Sequence, residues 1–127
     1  MTTVLTWGNG SCKAACDAKA ARLNGGFLRI FSGASVLLAE MTLGNPAYGA
    51  ATTANPAIAT ANAIARDSSA NATGTAATYQ LVQSDGTTVE GTGICTAVGG
   101  GGSLELVTLT VTAGLPFEIS SHAIRQA

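Results

Sequence analysis

The chain has 127 residues, of which 46% are hydrophobic and 10% are charged, with a formal net charge of −1. This length suits one domain with one core, so we expect a single domain over residues 1–127. The weak charge excludes a basic face for binding nucleic acid, and no apolar run is long enough to predict a membrane span.

The N-terminal segment, residues 1–10, is predicted to contain a short strand over Thr2 to Trp7, which Gly8-Asn9-Gly10 interrupts. The segment lacks the basic and long apolar regions of a secretory signal peptide. We therefore expect the protein to be made in a cytoplasm and not secreted by this route.

A short helix is predicted from Cys12 to Leu23, because its residues favour helix and Ser11 is a good N-cap. Asn24-Gly25-Gly26 is typical of a helix end. The helix is expected to lie against the sheet or against a neighbouring subunit. Its small apolar stripe consists of Cys12, Cys16, Ala20 and Leu23.

Three strands are predicted in the first half of the chain. Phe27 to Phe31 is rich in aromatic and branched residues, and Val36 to Leu43 is a plausible hairpin partner for it. From Ala57 to Arg66 every second residue is alanine, which favours a strand whose alanine face lets another layer approach closely. A helix over Ala57 to Arg66 is the alternative, since alanine is the best helix former.

A hairpin forms the predicted centre of the domain. Its strands contain Thr78 to Val82 and Thr88 to Val89, and Ser84 to Thr87 is the turn between them. Gly86 in this Asp-Gly turn accepts the positive φ that a tight hairpin requires. The second strand is expected to continue from Glu90 to Ala97.

The C-terminal third is predicted to hold two more strands after a loop tip of four glycines, residues 99 to 102. Leu104 to Thr112 alternates strictly toward its end, with Val107, Leu109 and Val111 on one face. A last strand is expected to begin at Phe117 and to end near Ile124. The fold class that follows is mainly β: a single antiparallel β-sandwich or barrel-like domain with one short N-terminal helix.

Catalytic chemistry has little support in the sequence. His122 is the only histidine, and we expect it on the surface or in an interface. Cys12, Cys16 and Cys95 could join it in a zinc site, but the usual paired knuckles are missing, so free buried thiols are the better interpretation. The acidic residues are spread singly. We therefore expect no catalytic residue, no metal site, no cofactor and no enzyme.

Five stretches of sequence, spread over roughly residues 11 to 112, together resemble a known protein family. The stretches are Leu23-Asn24-Gly25-Gly26-Phe27-Leu28-Arg29-Ile30-Phe31, Leu38-Ala39-Glu40-Met41-Thr42-Leu43, Ala61-Asn62-Ala63-Ile64, Ala72-Thr73-Gly74-Thr75-Ala76 and Tyr79-Gln80-Leu81-Val82-Gln83-Ser84-Asp85-Gly86-Thr87-Thr88-Val89. In this order they resemble a family of small structural proteins from the virions of tailed bacteriophages.

The resemblance implies a capsid decoration, or cement, protein that binds the outside of the shell and bridges subunits of the major capsid protein. It implies a location on the virion surface after assembly in the host cytoplasm, and self-association as a homo-oligomer, with a trimer expected. The alternatives are a tail, head–tail connector or fibre component of the virion and, in another class, a small carbohydrate-binding module. Nucleic acid and membranes are not expected partners.

On this hypothesis the N-terminal segment 1–10 and the C-terminal segment 113–127 are interface arms. Trp7 is the best single anchor, because large aromatic residues dominate interface energetics. The alternative for Trp7 is a place in the core of its own domain. The expected contact residues are Val4, Leu5, Trp7, Phe117, Ile119 and Ile124.

Overall fold

The fold consists of one helix and eight short strands in a computed structural model that describes residues 5–119 and 121–127. The prediction of a mainly β fold with one short helix is confirmed. In chain order the elements are α1 (Asn9–Ala21), β1 (Phe27–Ser32), β2 (Leu37–Thr42), β3 (Ala57–Thr60), β4 (Gly74–Val82), β5 (Val89–Ala97), β6 (Leu104–Leu106), β7 (Thr110–Val111) and β8 (Ala123–Gln126). No helix in these ranges is long and apolar enough to cross a membrane.

The main sheet has six strands in the order β2-β1-β4-β5-β6, and β7 pairs with β4. All its pairs are antiparallel except β5 and β6, which run parallel with Cys95 opposite Leu104. The expectation of a purely antiparallel sheet is therefore wrong at this pair. Gly99 and Gly101 have φ angles of 88° and 83°, so the short glycine-rich link can turn back sharply and bring Leu104 beside Cys95, near the end of β5.

The predicted central hairpin is confirmed as β4 and β5. Gly86 in its turn has a φ of 77°. The Asp85 carboxylate accepts hydrogen bonds from the amides of Thr87 and Thr88, each at 2.9 Å, and from the Thr88 hydroxyl at 2.6 Å. These hydrogen bonds stabilise the ionised carboxylate and lower the pKa of Asp85 to about 2. The bond from the Thr88 hydroxyl makes the largest contribution.

A second, two-stranded sheet of β3 and β8 lies under helix α1. Ala57 and Ala59 on β3 are completely buried where the helix packs, so the predicted alanine face is confirmed there. The strand ends at Thr60 and not at Arg66, because the antiparallel partner β8 begins opposite Thr60. Beyond it, the amide of Ala65 bonds to the Thr42 carbonyl instead.

Helix α1 begins earlier than predicted, at Asn9, with Gly8 in the N-cap position and no side-chain cap. Ser11 is therefore inside the helix, and the prediction that it caps the helix is wrong. The predicted apolar stripe is confirmed. Its members are Cys12, Cys16, Ala20 and Leu23, all buried.

The predicted strand over Leu104 to Thr112 is broken into β6 and β7. The two halves pair with different strands, β5 and β4, so the chain must leave the sheet between them. Val107 is 90% exposed at this break, whereas Val111 is buried, and the predicted shared face of Val107, Leu109 and Val111 is wrong. The last strand also differs: Phe117 makes only an isolated bridge to Asp67.

The core lies on the inner face of the main sheet, where Leu28, Ile30, Leu38 and Met41 are completely buried. The prediction that the three cysteines are free and buried is confirmed. Burial raises the pKa of Cys95 to about 11, so its thiol is protonated and unreactive at neutral pH.

Candidate functional site

The most polar feature of the core is a hydrogen-bonded group around His122, whose side chain is only 4% exposed. The Tyr48 hydroxyl lies 2.7 Å from its Nδ1 atom and the Tyr79 hydroxyl 2.9 Å from its Nε2 atom. Both tyrosine rings meet the imidazole edge-on, at interplanar angles of 67° and 78°. The prediction of a surface or interface histidine is therefore wrong.

Backbone pairing brings these three side chains together. Ala61 forms an isolated bridge with Tyr48, and its amide donates to the His122 carbonyl at 2.8 Å, so one residue positions both partners. Tyr79 lies on the inner face of β4, directly opposite Gly93 of β5. A Cβ atom at Gly93 would lie 2.5 Å from Cε1 of the Tyr79 ring, so the ring occupies the space that a side chain there would need.

Burial determines the charge state of the group. It lowers the pKa of His122 to about 4 and raises the pKa of both tyrosine hydroxyls, so all three are neutral at pH 7. A neutral imidazole donates from one nitrogen and accepts at the other, which matches its two hydroxyl partners. A protonated imidazole would donate from both nitrogens, so neither nitrogen could accept a hydrogen bond from a tyrosine hydroxyl.

The group lies at the wall of a cleft of about 760 Å³. From Tyr79 the hydrogen bonds continue over 2.8 Å to the hydroxyl of Ser103 at the mouth. Glu105, Ser121 and Arg125 also line the cleft. The Glu105 carboxylate accepts from the amide of Gly99 at 2.7 Å and so supports the glycine-rich loop.

The arrangement does not present a paired nucleophile and base. Ser103 bonds to Tyr79 and not to the imidazole, whose hydrogen-bond partners are both tyrosine hydroxyls. Within residues 5–119 and 121–127 no three His, Cys, Asp or Glu side chains could hold a metal ion together. The thiols of Cys12 and Cys16 instead lie 3.9 Å from the carbonyls of Trp7 and Ile124.

Two of the expected N-terminal contact residues are available on the surface. Leu5 is 67% exposed and Trp7 is 56% exposed, so the alternative that Trp7 fills the core of its own domain is wrong. The Trp7 carbonyl accepts from the Asn55 side chain at 3.0 Å, which anchors the backbone while the ring faces outward. Val4 lies outside the residues that the structure describes.

The C-terminal contact residues are placed differently. Phe117 and Ile119 are each 7% exposed and belong to the core, so neither has a surface to offer a partner. Ile124 is half-buried and packs against the same core. The expected contact set is therefore not one surface, and among its described members Leu5 and Trp7 are the largely exposed ones.

Removing one tyrosine hydroxyl tests whether the hydrogen bonds to His122 stabilise the fold. Tyr48→Phe leaves Nδ1 of His122 buried without a partner, and we expect the free energy of unfolding to fall by about 1 to 3 kcal/mol. Ser103→Ala, at the exposed end of the same chain of hydroxyls, should change it by less than about 0.5 kcal/mol. Urea denaturation of both variants measures the difference, and equal losses would contradict this account.

Sequence reasoning missed this group because its members are far apart in the chain. The available signal was compositional: the chain has two tyrosines and one histidine, and all three meet. Comparisons of the chain with protein-family models, with curated proteins and with solved structures found no match.

Proposed function

We propose that the protein is a capsid decoration protein that self-associates and binds the outside of a bacteriophage shell across boundaries between major capsid subunits. The observation that carries the proposal is Trp7, a large aromatic side chain that is 56% exposed on a charge-poor chain. Such a protein adds buried interface to a lattice, so its function needs accessible apolar surface more than a reactive site.

Further apolar side chains are exposed on the outer face of the main sheet. Ile94 on β5 is 61% exposed, and Val98 and Val107, just beyond the ends of the parallel strands β5 and β6, are 70% and 90% exposed. Thr78, directly opposite Ile94, carries no charge, whereas Glu105 lies opposite Thr96. Exposed apolar side chains of this kind favour association with another protein.

Exposed apolar surface would equally suit a protein at another location in the virion. The symmetry of the oligomer distinguishes these alternatives. A ring of higher rotational symmetry that does not bind the shell would favour a tail, head–tail connector or fibre component. The polar cleft at His122 is the feature that a small carbohydrate-binding module would use. The rings of Tyr48 and Tyr79 are buried there, however, so neither offers a face on which a sugar could stack.

The proposal predicts that Trp7→Ala weakens binding to the shell without unfolding the domain. A central aromatic anchor contributes about 2 kcal/mol or more to an interface, so we expect at least about 30-fold weaker binding. Because the ring is largely exposed, the free energy of unfolding should change by less than about 1 kcal/mol. Co-sedimentation with capsids that lack the protein measures the binding.

Val36→Ala is the matched control, because Val36 is another exposed apolar side chain, at 48%, and lies outside both proposed interface arms, residues 1–10 and 113–127. It should bind shells like the unmodified protein. Light scattering gives the mass of the free protein, for which we expect a trimer. A protein that does not bind the shells, or a Trp7→Ala variant that binds them as well as Val36→Ala does, would overturn the proposal.

A further inference from the structure

Within residues 5–119 and 121–127, strand β8 pairs with β3 and with no other strand. The amide of Ala61 donates to the carbonyl of His122, so this is a hydrogen-bonded pair of the antiparallel ladder. Such pairs alternate along a ladder, and the backbone N–H and C=O of Ala123 and Arg125 must therefore point away from β3. Among the residues that the structure describes, nothing bonds to these four groups.

At the opposite edge of the same small sheet, the backbone carbonyls that point outward have hydrogen-bond partners. On β3 the alternation turns the carbonyls of Ile58 and Thr60 away from β8, and they accept from the amides of Thr52 and Gly49 at 2.9 and 2.8 Å. The β3 edge is therefore covered by the chain itself. The β8 edge has no partner strand among the described residues, and a strand edge of this kind is a template for another strand.

The cleft at His122 runs along this edge of β8, since Ala123 and Arg125 are among its lining residues. Its floor is open at Gly91, which lies opposite Leu81 on the inner face of the sheet. A Cβ atom at Gly91 would meet nothing within 4 Å, although a core strand normally places a side chain at an inward position. The cleft thus combines unpaired backbone groups with an unfilled apolar position.

We infer that this cleft receives the N-terminal segment of a second copy of the chain, which pairs with β8 and places an apolar side chain over Gly91. The mode is the addition of a strand to a sheet edge, in which main-chain hydrogen bonds supply affinity and a side-chain pocket supplies specificity. The inference builds on the self-association part of the proposed function and names its site.

The segment that ends at Trp7 has the properties that this cleft requires. Its sequence, Thr2 to Trp7, is uncharged, rich in β-prone residues and predicted to be a strand. Over its described part, residues 5–7, it pairs with no strand, and it exposes Leu5 and Trp7. A β-prone segment that pairs with no strand over residues 5–7, and a strand edge without a partner among the described residues, complement each other between copies.

The geometry also limits the assembly. The segment and the cleft are different surfaces, so two copies can exchange segments reciprocally or several copies can pass them head to tail. Head-to-tail contacts close into a ring when the rotation between copies allows it. The trimer expected for a decoration protein is one such ring, and each cleft in it would be filled by its neighbour.

The test is the mass of the full chain by light scattering across a dilution series. Gly91→Val fills the open position with a strand-favouring side chain, and Ala123→Pro removes an N–H that the fold does not use, at the first residue of β8, where proline is tolerated. We expect each variant to raise the dissociation constant of the oligomer at least tenfold. Thr78→Val, a β-branched replacement on the outer face of β4, should not.

A peptide with the sequence of residues 1–8 provides a second measurement. It should bind the unmodified chain diluted below the dissociation constant of its oligomer, where the clefts are empty, and should bind Gly91→Val at least tenfold more weakly under the same conditions. A monomeric unmodified chain, or Gly91→Val oligomers as stable as those of Thr78→Val, would overturn the inference. Shell binding is not measured here, so its failure would count against the decoration role alone.

Discussion

Replacing Gly93 by alanine is expected to lower the free energy of unfolding by roughly 3 to 5 kcal/mol. The new Cβ atom would lie 2.5 and 2.7 Å from Cε1 and Cζ of the Tyr79 ring and would also clash with the hydroxyl of Ser103. The ring must then move away from His122, whose Nε2 atom loses its partner inside the core. The free-energy cost of overpacking and the cost of leaving a buried nitrogen without a hydrogen-bond partner add to each other. Urea denaturation followed by circular dichroism measures the loss.

Gly91→Ala is the matched control for this substitution. Gly91 lies two residues away on the same strand and points to the same face, but a Cβ atom there would meet nothing within 4 Å. Alanine should therefore be neutral or should stabilise the strand by roughly 0.5 to 1 kcal/mol. If the two alanine variants had equal stability, Tyr79 would not occupy the space above Gly93.

Acidification is expected to destabilise the protein through His122. Its pKa is about 4 in the folded chain against an ordinary value of 6.5, so the unfolded chain binds a proton first as the pH falls. Stability is therefore complete above about pH 6.5 and is lost between pH 6.5 and pH 4. The loss is on the order of 3 kcal/mol in total, with about 2 kcal/mol of it reached by pH 5.

Between pH 6.5 and pH 5, the change in stability with pH reports on His122 and not on the carboxylates. Hydrogen bonds lower the pKa of Asp85 and Glu90, and the stability that these carboxylates contribute is lost only below their ordinary values of 3.8 and 4.5. His122→Gln should thus have a nearly flat stability profile in this pH range. NMR titration of the imidazole in the unmodified protein gives its folded pKa directly. A midpoint near 6.5 would contradict the buried hydrogen-bonded state.

Local patterns predicted the elements whose partners are close in sequence. The Asp-Gly turn between β4 and β5 was predictable because Asp85 and Gly86 supply its hydrogen bonds and its positive φ within a few residues. The stripe on α1 was predictable because helical spacing places Cys12, Cys16 and Ala20 on one face. The alanine periodicity of β3 likewise reports a strand that another layer approaches closely.

Patterns failed where the partner is distant. The strict alternation after Leu104 predicts one strand, but β6 and β7 exist separately because two different strands compete for the chain. Phe117 and Ile119 have the composition of an interface arm, yet they are buried. Nothing local distinguishes an apolar side chain that covers its own core from one that covers a neighbour.

The sequence by itself determined the fold class, the helix face and the central hairpin, since each depends on the conformational preferences and periodicity of neighbouring residues. Only the tertiary structure decided the site. Tyr48, Tyr79 and His122 are separated by tens of residues, and β3, β4 and β8 must all be in place before they meet. The edge of β8 that has no partner among the described residues is equally invisible in the sequence, because strand pairing depends on which segments meet in space.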